Sequence, residues 1–386
     1  MTAVTRVKSS RRSPDVIPTD VWISDPRREY LSLETELKEA VVGVLASGTY
    51  VQGGEVAELE KAFAAFCRVE HAIATCSGTA AILVGLRALG IGPDDDVLMP
   101  VYGCLSTASA ILHAGAGVQF ADVEEETLTI DVAQVEKAIT PRTRAVIPIH
   151  VHGQLADMDG LRAIAGRHGL AILEDAALVV GGCLQSRPVG GLGDVGAFSF
   201  APGKVLSGLG WGGMVTVRDA AVADRARQLA GHGPSAGRRE SGEKLVGFNV
   251  QMSGLVAASL RVKLPYVEGW ARRRREIARR YDAVCDQIEL ARLRPRAGSV
   301  PSYRTYVVRH RFPDELIERL CQVGVHAASH YVPPLHLRPV LADLGYRRGD
   351  FPAAERAADE LVCLPVHAQL SDDEVERIIG VLREAV

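Results

Sequence analysis

Lys204 lies in a run of apolar residues where a charged side chain is unusual. It is the only charged residue between Asp194 and Arg218, and its neighbours include Phe, Pro, Leu, Trp and Gly. Most lysines keep their ammonium group in water. A lysine in this setting indicates chemistry that needs a partly desolvated amine, such as imine formation with an aldehyde or proton transfer.

An acidic residue follows a predicted buried strand upstream of this lysine. The apolar run Gly169–Leu173 leads into Glu174 and Asp175, which puts a carboxylate at the carboxyl end of the strand. A buried amine and such an acid together suggest a pyridoxal phosphate site. Lys204 would form the imine and later carry a proton between substrate and cofactor, while Asp175 would keep the pyridine nitrogen protonated. A helix cap or a structural ion pair is the alternative role for Asp175.

A possible phosphate site lies at another predicted strand end. The triplet Ser77, Gly78 and Thr79 follows the strand Glu70–Cys76 and opens an apolar helix. A helix N-terminus offers free N–H groups and a favourable dipole to an anion, and two hydroxyls add to them here. Ser199, on the same apolar segment as the lysine, offers one more phosphate hydrogen bond. Ser and Thr are also common N-caps without any ligand, so that alternative stays open.

Short apolar strands alternate with helical patterns in the part of the chain that holds these residues. The predicted strands are Glu70–Cys76, Asp96–Met99, Gly117–Ala121, Ala145–Ile149 and Ala171–Leu173. This alternation is typical of an α/β fold with a largely parallel sheet covered by helices on both faces. Ligands of such sheets gather at the carboxyl ends of the strands, where Ser77, Pro100 and Asp175 lie.

The chain is too long for one small core. With 386 residues we expect a flexible tail at 1–24, a large cofactor-binding domain at 25–262 and a smaller α+β domain at 263–386. The elements predicted around and after this last boundary are a long basic helix at Val256–Cys285, a strand at Arg304–His310, and helices at Pro313–Val323 and Asp372–Ala385.

Composition excludes several classes of partner. The net charge of -3 gives no reason to expect nucleic acid or an acidic membrane surface, and no apolar run is long enough to span a membrane. Seven scattered cysteines without a CxxC pair favour free thiols in a reducing compartment, the cytoplasm, with Cys76, Cys104 and Cys363 buried. No metal is expected, since the histidines form no ligand set. His150 and His152 alternate on a strand-like run and so point to opposite sides.

A series of short motifs, in order and at believable spacing, resembles the DegT/DnrJ/StrS family of sugar aminotransferases over roughly residues 25–386. The motifs are Ser77-Gly-Thr79-Ala-Ala, Pro100 to Thr107, His150-Val-His-Gly153-Gln-Leu-Ala-Asp-Met-Asp159, Glu174-Asp-Ala-Ala177, Gly193 to Phe200 with Lys204, Gly212-Gly213, His232-Gly233, Gly247-Phe-Asn249 with Met252, His330-Tyr-Val-Pro-Pro-Leu-His336, and Gly349-Asp-Phe-Pro352 with Leu364-Pro365. The resemblance implies fold type I of the pyridoxal phosphate enzymes, with a mostly parallel sheet between helices in the large domain.

The resemblance also implies a role for each matching residue. Lys204 and Asp175 become the catalytic pair, and the phosphate contacts become Ser77, Gly78, Thr79 and Ser199. Asn249 matches an asparagine that reaches the phosphate from the neighbouring subunit, which implies a homodimer with shared sites. His330 and Tyr331 match a motif near the substrate cleft. The family's usual substrates are keto-sugars attached to a nucleoside diphosphate, and its usual amino donors are glutamate and glutamine.

Three positions depart from the family pattern. Leu178 stands where a Gln or His contacts the oxygen of the cofactor ring, and it cannot hydrogen-bond. Cys104 stands where an aromatic residue stacks on the ring. Tyr102 is the candidate to stack on the ring in its place, although its side chain is expected to point in a different direction. Trp211 replaces an acidic residue before the paired glycines. The departures indicate either a more apolar cofactor pocket tuned to a less usual substrate or neutral drift with compensation.

The sequence therefore predicts a cytoplasmic, homodimeric aminotransferase of sugar biosynthesis, in a secondary-metabolite or cell-envelope pathway. Because Lys204 is present, transamination is favoured over the dehydratase branch of the family, in which a histidine replaces that lysine. One alternative is a pyridoxal phosphate enzyme redirected to elimination, cyclisation or substitution on an amino acid derivative. Another is a member that binds cofactor or sugar without turnover, as a partner subunit or sensor, although such a protein has little need for a desolvated amine.

Overall fold

The strands provide the frame of the molecule. The computed structural model describes residues 20–233 and 245–384. Its strands are β1 (His71–Thr75), β2 (Asp96–Pro100), β3 (Gly117–Ala121), β4 (Thr143–Val146), β5 (Ala171–Asp175), β6 (Cys183–Leu184), β7 (Arg187–Pro188), β8 (Val195–Ser199), β9 (Gly213–Val217), β10 (Ser299–Val300), β11 (Tyr306–Arg309) and β12 (Leu361–Leu364). Seven of them form one sheet in the order β1-β9-β8-β5-β4-β2-β3.

The large sheet is mostly parallel, so the predicted α/β class is confirmed. Strands β8, β5, β4, β2 and β3 pair in parallel, and β9 runs antiparallel to both β1 and β8. The sequence did not predict β8 and β9, because the glycine-rich apolar stretch that contains them has no clear period. The predicted strand Ala145–Ile149 ends earlier, at Val146, because Pro148 cannot donate to a ladder.

Helices cover both faces of the sheet. The α-helices of the described residues are α1 (Pro26–Ser32), α2 (Glu34–Ser47), α3 (Gly54–Cys67), α4 (Gly78–Ala88), α5 (Leu105–His113), α6 (Val132–Ala138), α7 (Met158–His168), α8 (Ala220–Ala230), α9 (Gly254–Lys263), α10 (Val267–Gln287), α11 (Pro313–Gln322), α12 (Pro352–Glu360) and α13 (Asp372–Arg383). None of these is long and apolar enough to cross a membrane.

Alternating strand residues divide the interior into two cores. Val97 and Leu173 pack with α4, α5 and α8 on one face of the sheet. Leu98 and Ile172, one position away on the same strands, pack with α3, α7 and α9 on the other face. Since side chains alternate along a strand, each strand is apolar on both sides, as a sheet between two helix layers requires.

The predicted helix Val256–Cys285 is two helices rather than one. A 3-10 turn at Leu264–Tyr266 separates α9 from α10. Pro265 lies in that turn and has no N–H to continue the α-helical ladder.

The C-terminal part has a core of its own. Residues from α10, α11, α13 and the pair β11-β12 form it, including Tyr281, Tyr306 and Ile378. Val21 is also buried in this core and pairs with Val325. Of the predicted tail, residues 1–19 lie outside the described residues, whereas residues 20–24 begin the folded part. The boundary at residue 262 between two domains stays a prediction.

The ends of several strands meet at one edge of the large sheet. Strands β1, β5 and β8 end at Thr75, Asp175 and Ser199. The antiparallel β9 begins at the same edge, where Gly213 is paired with both Thr75 and Ser199. This edge therefore receives the first turn of α4, the carboxylate that follows β5 and the loop that carries Lys204.

Candidate active site

Lys204 lies in the loop after β8, close to several charged groups. Burial and the nearby Arg304 guanidinium lower the pKa of its amine to about 8, while Asp175 and Cys104 act in the opposite direction. Gly203 precedes it with φ +85°, a left-handed backbone that favours glycine. The structure thus places a largely buried, partly neutral amine near the carboxylate that sequence reasoning paired with it.

Asp175 is buried at the end of β5 and has two fixed hydrogen-bond partners. Thr107 donates from Oγ1 to Oδ2 over 2.6 Å, and the backbone N–H of Ala177 donates to Oδ1 over 3.1 Å. Neither partner is a cation, so these bonds orient the carboxylate without pairing it with a positive charge. Thr107 lies in α5 and is fully buried. The sequence analysis gave it no role of its own.

The preceding carboxylate, Glu174, has a purely structural set of contacts. It accepts hydrogen bonds from the backbone N–H groups of Gly190, Leu192 and Gly193 over 2.7–3.0 Å. His150 Nε2 lies 3.2 Å from its Oε2. Since successive strand residues point to opposite faces, Glu174 anchors the loop before β8 while Asp175 faces the site.

Close packing at the N-terminus of α4 forms a small cradle. Ser77 caps the helix by accepting from the Ala80 N–H over 3.1 Å. A Cβ atom on Gly78 would lie 2.6 Å from Cβ of Ser199, and one on Gly213 would lie 2.2 Å from the carbonyl oxygen of Ser77. The glycines therefore let the first turn of the helix, including Thr79, approach β8 and β9. The cap uses an acceptor position of Ser77 and leaves its hydroxyl proton free to donate.

Aromatic residues form a buried wall near Lys204. Tyr102 donates to the carbonyl oxygen of His330 and lies 3.0 Å from Nε2 of His152, and its ring meets that of Tyr331 edge-on at 5.8 Å. Burial lowers the pKa of His152 to about 3, so this imidazole is neutral. The pKa of His330 is lowered by burial, with smaller contributions from Arg304 and Lys204.

The three positions that depart from the family pattern lie in different environments. Leu178 is buried, and Cys104 is exposed at the N-cap of α5. The expectation that Cys104 is a buried thiol is therefore wrong, because the residue starts a helix at the open sheet edge. Trp211 is 71% exposed, so it does not line the interior of this chain. Tyr102 is used in the wall, which agrees with the expectation that it points elsewhere.

Asn249 is exposed on the surface, and the carbonyl oxygen of the next residue, Val250, accepts from the N–H of Cys76 over 2.6 Å. Its backbone is in the left-handed region at φ 51°, and its N–H donates to the Gly231 carbonyl over 2.8 Å. The neighbouring residues line a surface cavity of about 520 Å³, whose wall includes Gln52, Arg227, Gly231, His232, Gly233, Gln251 and Met252. Within the described chain, no hydrogen bond joins Asn249 to the cradle at α4.

Arg304 is a residue near Lys204 that sequence reasoning missed. Its Nη2 lies 3.5 Å from where a Cβ atom on Gly203 would be. The available signal was weak: Arg304 is one of two arginines in the predicted strand Arg304–His310, about a hundred positions from the lysine it meets. Only the docking of the C-terminal part against the sheet edge brings the two together.

These residues fit pyridoxal phosphate. The first turn of α4 offers N–H donors to a phosphate, and Ser199 lies against Gly78 in that turn. An oriented carboxylate and a buried amine of lowered pKa lie at the same sheet edge. Within residues 20–233 and 245–384 no cluster of three or more His, Cys, Asp or Glu side chains could hold a metal ion.

Comparisons with known proteins show similarity to aminotransferases over nearly the whole chain. The model of the DegT/DnrJ/EryC1/StrS aminotransferase family matches residues 32–383. The erythromycin biosynthesis sensory transduction protein EryC1 of Saccharopolyspora erythraea is 38% identical over 94% of this chain and 99% of its own length. The dTDP-3-amino-3,4,6-trideoxy-alpha-D-glucose transaminase of Streptomyces venezuelae is 37% identical over 93% of this chain and 94% of its own length.

A solved structure shows the same fold. The crystal structure of S. venezuelae DesV in complex with a ketimine intermediate superposes with a TM-score of 0.91 at 36% identity, covering 95% of this chain and 98% of that one. These matches confirm the resemblance and the fold class drawn from the sequence.

Proposed function

The chain belongs to the DegT/DnrJ/EryC1/StrS aminotransferase family, and from this premise we propose that it transfers an amino group from glutamate or glutamine to a keto-sugar linked to a nucleotide. It is a pyridoxal phosphate-dependent aminotransferase. The pathway is one of secondary-metabolite or cell-envelope sugar biosynthesis. The observation that carries the proposal is the buried amine of Lys204 near the oriented carboxylate of Asp175.

Lys204 and Asp175 divide the chemistry between them. Pyridoxal phosphate, when bound, supplies an aldehyde that takes up amino groups and a ring that withdraws electrons from the adjacent carbon. The carboxylate of Asp175 holds a positive charge at the ring nitrogen, and the hydroxyl of Thr107 keeps that carboxylate in position. Nζ of Lys204 accepts a proton from the substrate carbon and returns it on the cofactor side.

The lowered pKa of Lys204 suits this proton transfer. At a pKa of about 8, roughly a tenth of the amine is neutral at pH 7 and half at pH 8. A base whose pKa lies near the working pH both accepts and releases protons readily. Burial is the largest cause of the shift, so excluding water from this loop is itself part of the function.

The cradle binds the cofactor phosphate, and residues of the aromatic wall bind the substrate. Ser77, Gly78, Thr79 and Ser199 hold the phosphate at the N-terminus of α4. Leu178 and Cys104 would lie beside the cofactor ring. His330 and Tyr331 bind the substrate, since both lie in the segment that covers the Lys204 side of the site.

We place Asn249 in the site of a second subunit of a homodimer. Its side chain is exposed, as are the apolar side chains of Val246 and Phe248 beside it and of Trp211. Exposed apolar residues in such numbers mark an interaction surface. A second copy that covers them would bring Asn249 to the phosphate cradle of its neighbour.

The cytoplasm is the proposed compartment. All seven cysteines of the chain are free thiols, and three of them are buried. Free thiols persist in a reducing environment, which supports this location.

Single-turnover spectroscopy tests the proposed function. L-Glutamate added to the enzyme with bound cofactor should change the cofactor absorbance, and a nucleotide-linked keto-sugar should then restore it. Free keto-sugars in the same panel show whether the nucleotide is needed. Lys204→Ala should abolish both changes. If no acceptor restores the absorbance while an amino acid derivative is consumed, the reaction is elimination or substitution and the proposed function is wrong.

A further inference from the structure

Arg304 is a partly buried cation without a counter-charge in the described chain. Nη1 of its guanidinium is inaccessible to solvent and has no hydrogen-bond partner among residues 20–233 and 245–384. The residue as a whole keeps intermediate exposure. A guanidinium carries five N–H donors and no acceptor, and leaving it unpaired in the interior is costly.

Other arginines in the interior of the described chain have a hydrogen-bond or ion-pair partner for at least part of the guanidinium. Arg292 pairs with Asp282 and Asp286, and Arg274 donates to the carbonyl oxygen of Tyr303. Arg304, in contrast, forms no side-chain hydrogen bond or ion pair with a described residue. The groups that favour its charge are Tyr331 and Cys363, and neither is a carboxylate.

The backbone fixes Arg304 in this position. Its N–H donates to the carbonyl oxygen of His152 over 2.9 Å, and the next residue, Thr305, bonds His152 Nδ1 at 2.8 Å. A Cβ atom on Gly153 would lie 2.7 Å from the backbone nitrogen of Arg304, so the two segments approach closely only because residue 153 is glycine. The arginine is thus held by a rigid packing arrangement rather than by a partner for its charge.

The guanidinium adds to a region of positive potential around the reacting amine. It lowers the pKa of Lys204, of His330 and of Arg274, which places all three within its electrostatic reach. Nη2 also lies close to the backbone at Gly203, next to Lys204. An anionic group that enters here would gain both a paired charge and charge-assisted hydrogen bonds.

We infer that Arg304 binds the α-carboxylate of the amino-acid donor and so holds the amino group against the cofactor position near Lys204. This carboxylate is bonded to the same carbon as the reacting amino group, so it must lie close to Lys204. The diphosphate of a nucleotide sugar is separated from the ketone by atoms of the sugar ring and fits this position less well. A planar guanidinium matches a carboxylate through two parallel bonds. The inference rests on the proposed amino-acid donor.

The test compares three donors in single-turnover reactions of the enzyme with bound cofactor. L-Glutamate carries both carboxylates, L-glutamine lacks only the side-chain carboxylate, and L-isoglutamine lacks only the α-carboxylate. Arg304→Gln should raise the half-saturating concentration of glutamate and of glutamine alike, on the order of 100-fold. Isoglutamine should react poorly with the wild type and should lose no further affinity in the variant.

Two further variants separate binding from folding. Arg304→Lys keeps the positive charge but lacks the planar guanidinium that forms two parallel bonds to a carboxylate. It should therefore show an intermediate loss of donor affinity, about tenfold. Arg309→Gln removes a positive charge from β11, shortly after Arg304 in the sequence, where Arg309 pairs with Glu360, and should leave the reactions of all three donors unaffected. Calorimetry with glutarate, which cannot react, should show the same loss of affinity in Arg304→Gln as the kinetics.

Several results would overturn the inference. Unchanged glutamate binding in Arg304→Gln would contradict it. An equal loss of affinity for glutamate and isoglutamine would also contradict it, because such a loss indicates a structural role for Arg304. A loss seen with the nucleotide-linked sugar alone would assign Arg304 to the diphosphate instead. If the wild type reacts with none of the three donors, the proposed function itself fails. If the wild type reacts with its donors as proposed and the Arg304 variants bind them equally well, the inference about Arg304 is wrong while the proposed function stands.

Discussion

The charge of Lys204 depends on a balance between its neighbours. Burial and Arg304 favour the neutral amine, while Asp175 and Cys104 favour the ammonium ion. The neutral form attacks an aldehyde, and the protonated form does not. The rate at which the apo-protein captures its cofactor therefore reports this balance directly.

Cofactor capture should follow the pKa of Lys204. With a pKa of about 8 the neutral fraction rises about tenfold between pH 7 and pH 9 and then levels off, because most of the amine is by then deprotonated. Stopped-flow mixing of apo-protein with pyridoxal phosphate across this range measures it. Arg304→Gln should move the midpoint upward, since that cation lowers the pKa. A rate that still climbs without a plateau at pH 10 would show an ordinary, solvated lysine.

Thr107 should affect turnover through Asp175. Thr107→Val keeps the shape of the side chain but removes the 2.6 Å hydrogen bond to the carboxylate. A hydrogen bond to a charged group contributes about 1.5–3 kcal/mol, so the half-reaction with glutamate should slow by about 10- to 100-fold. Single-turnover rates measure the effect. Thr107→Ser keeps the hydroxyl and should retain most of the rate; equal losses in both variants would point to packing instead.

At the scale of elements, the sequence predicted the parts of the site that follow from strand periodicity. The apolar run before Asp175 is a strand, and the carboxyl ends of parallel strands meet at one edge. This regularity predicts that Asp175 and Ser77 lie at the same sheet edge, without information on any particular contact. Lys204 was identified from the composition of its segment alone, because a single charged residue in a long apolar run is unusual.

The rest depended on contacts between distant segments. Arg304 meets Gly203 only because the C-terminal part packs on the sheet edge, and no local pattern encodes that docking. Val21 falls within the predicted tail, yet it is buried against residues from the opposite end of the chain. The apolar neighbours of Cys104 predict a buried thiol, although its position at the start of a helix leaves it exposed.

The contact between α4 and β8 should tolerate no side chain at Gly78. A Cβ atom there would lie 2.6 Å from Cβ of Ser199, so Gly78→Ala must push the helix N-terminus away from the strand. We expect phosphate binding to weaken by about tenfold or more, because the cradle depends on helix N–H groups at close range. Equilibrium dialysis of pyridoxal phosphate measures it.

A matched control exists for this substitution. Gly54 is also the first residue of a helix, α3, and a Cβ atom on it would meet nothing within 4 Å. Gly54→Ala should leave cofactor affinity unchanged and slightly raise stability, since alanine has less freedom to lose on folding. Equal cofactor loss in both variants would argue against the steric explanation.

At the scale of the whole molecule, one surface remains apolar. Val246 is 85% exposed, and Leu209, Trp211, Tyr50 and Val51 are also exposed. The last two lie next to the start of α9, because Val51 pairs with Ser253. The backbone N–H of Leu209 donates to the hydroxyl of Ser259 in the same helix, so Val51 and Leu209 both lie beside α9. An exposed apolar face of this kind supports the proposed dimer.

Mixing two inactive variants tests whether the sites are shared. Lys204→Ala removes the amine, and Asn249→Asp places a negative charge where the neighbour's phosphate would bind, so each homodimer should be inactive. In a dimer formed from one chain of each kind, the intact Lys204 lies opposite the intact Asn249 of its partner. Random exchange therefore recovers about a quarter of the wild-type sites. If Asn249 instead served its own chain, every site would carry one defect and the mixture would stay inactive. Activity of the mixture after subunit exchange decides between the two arrangements.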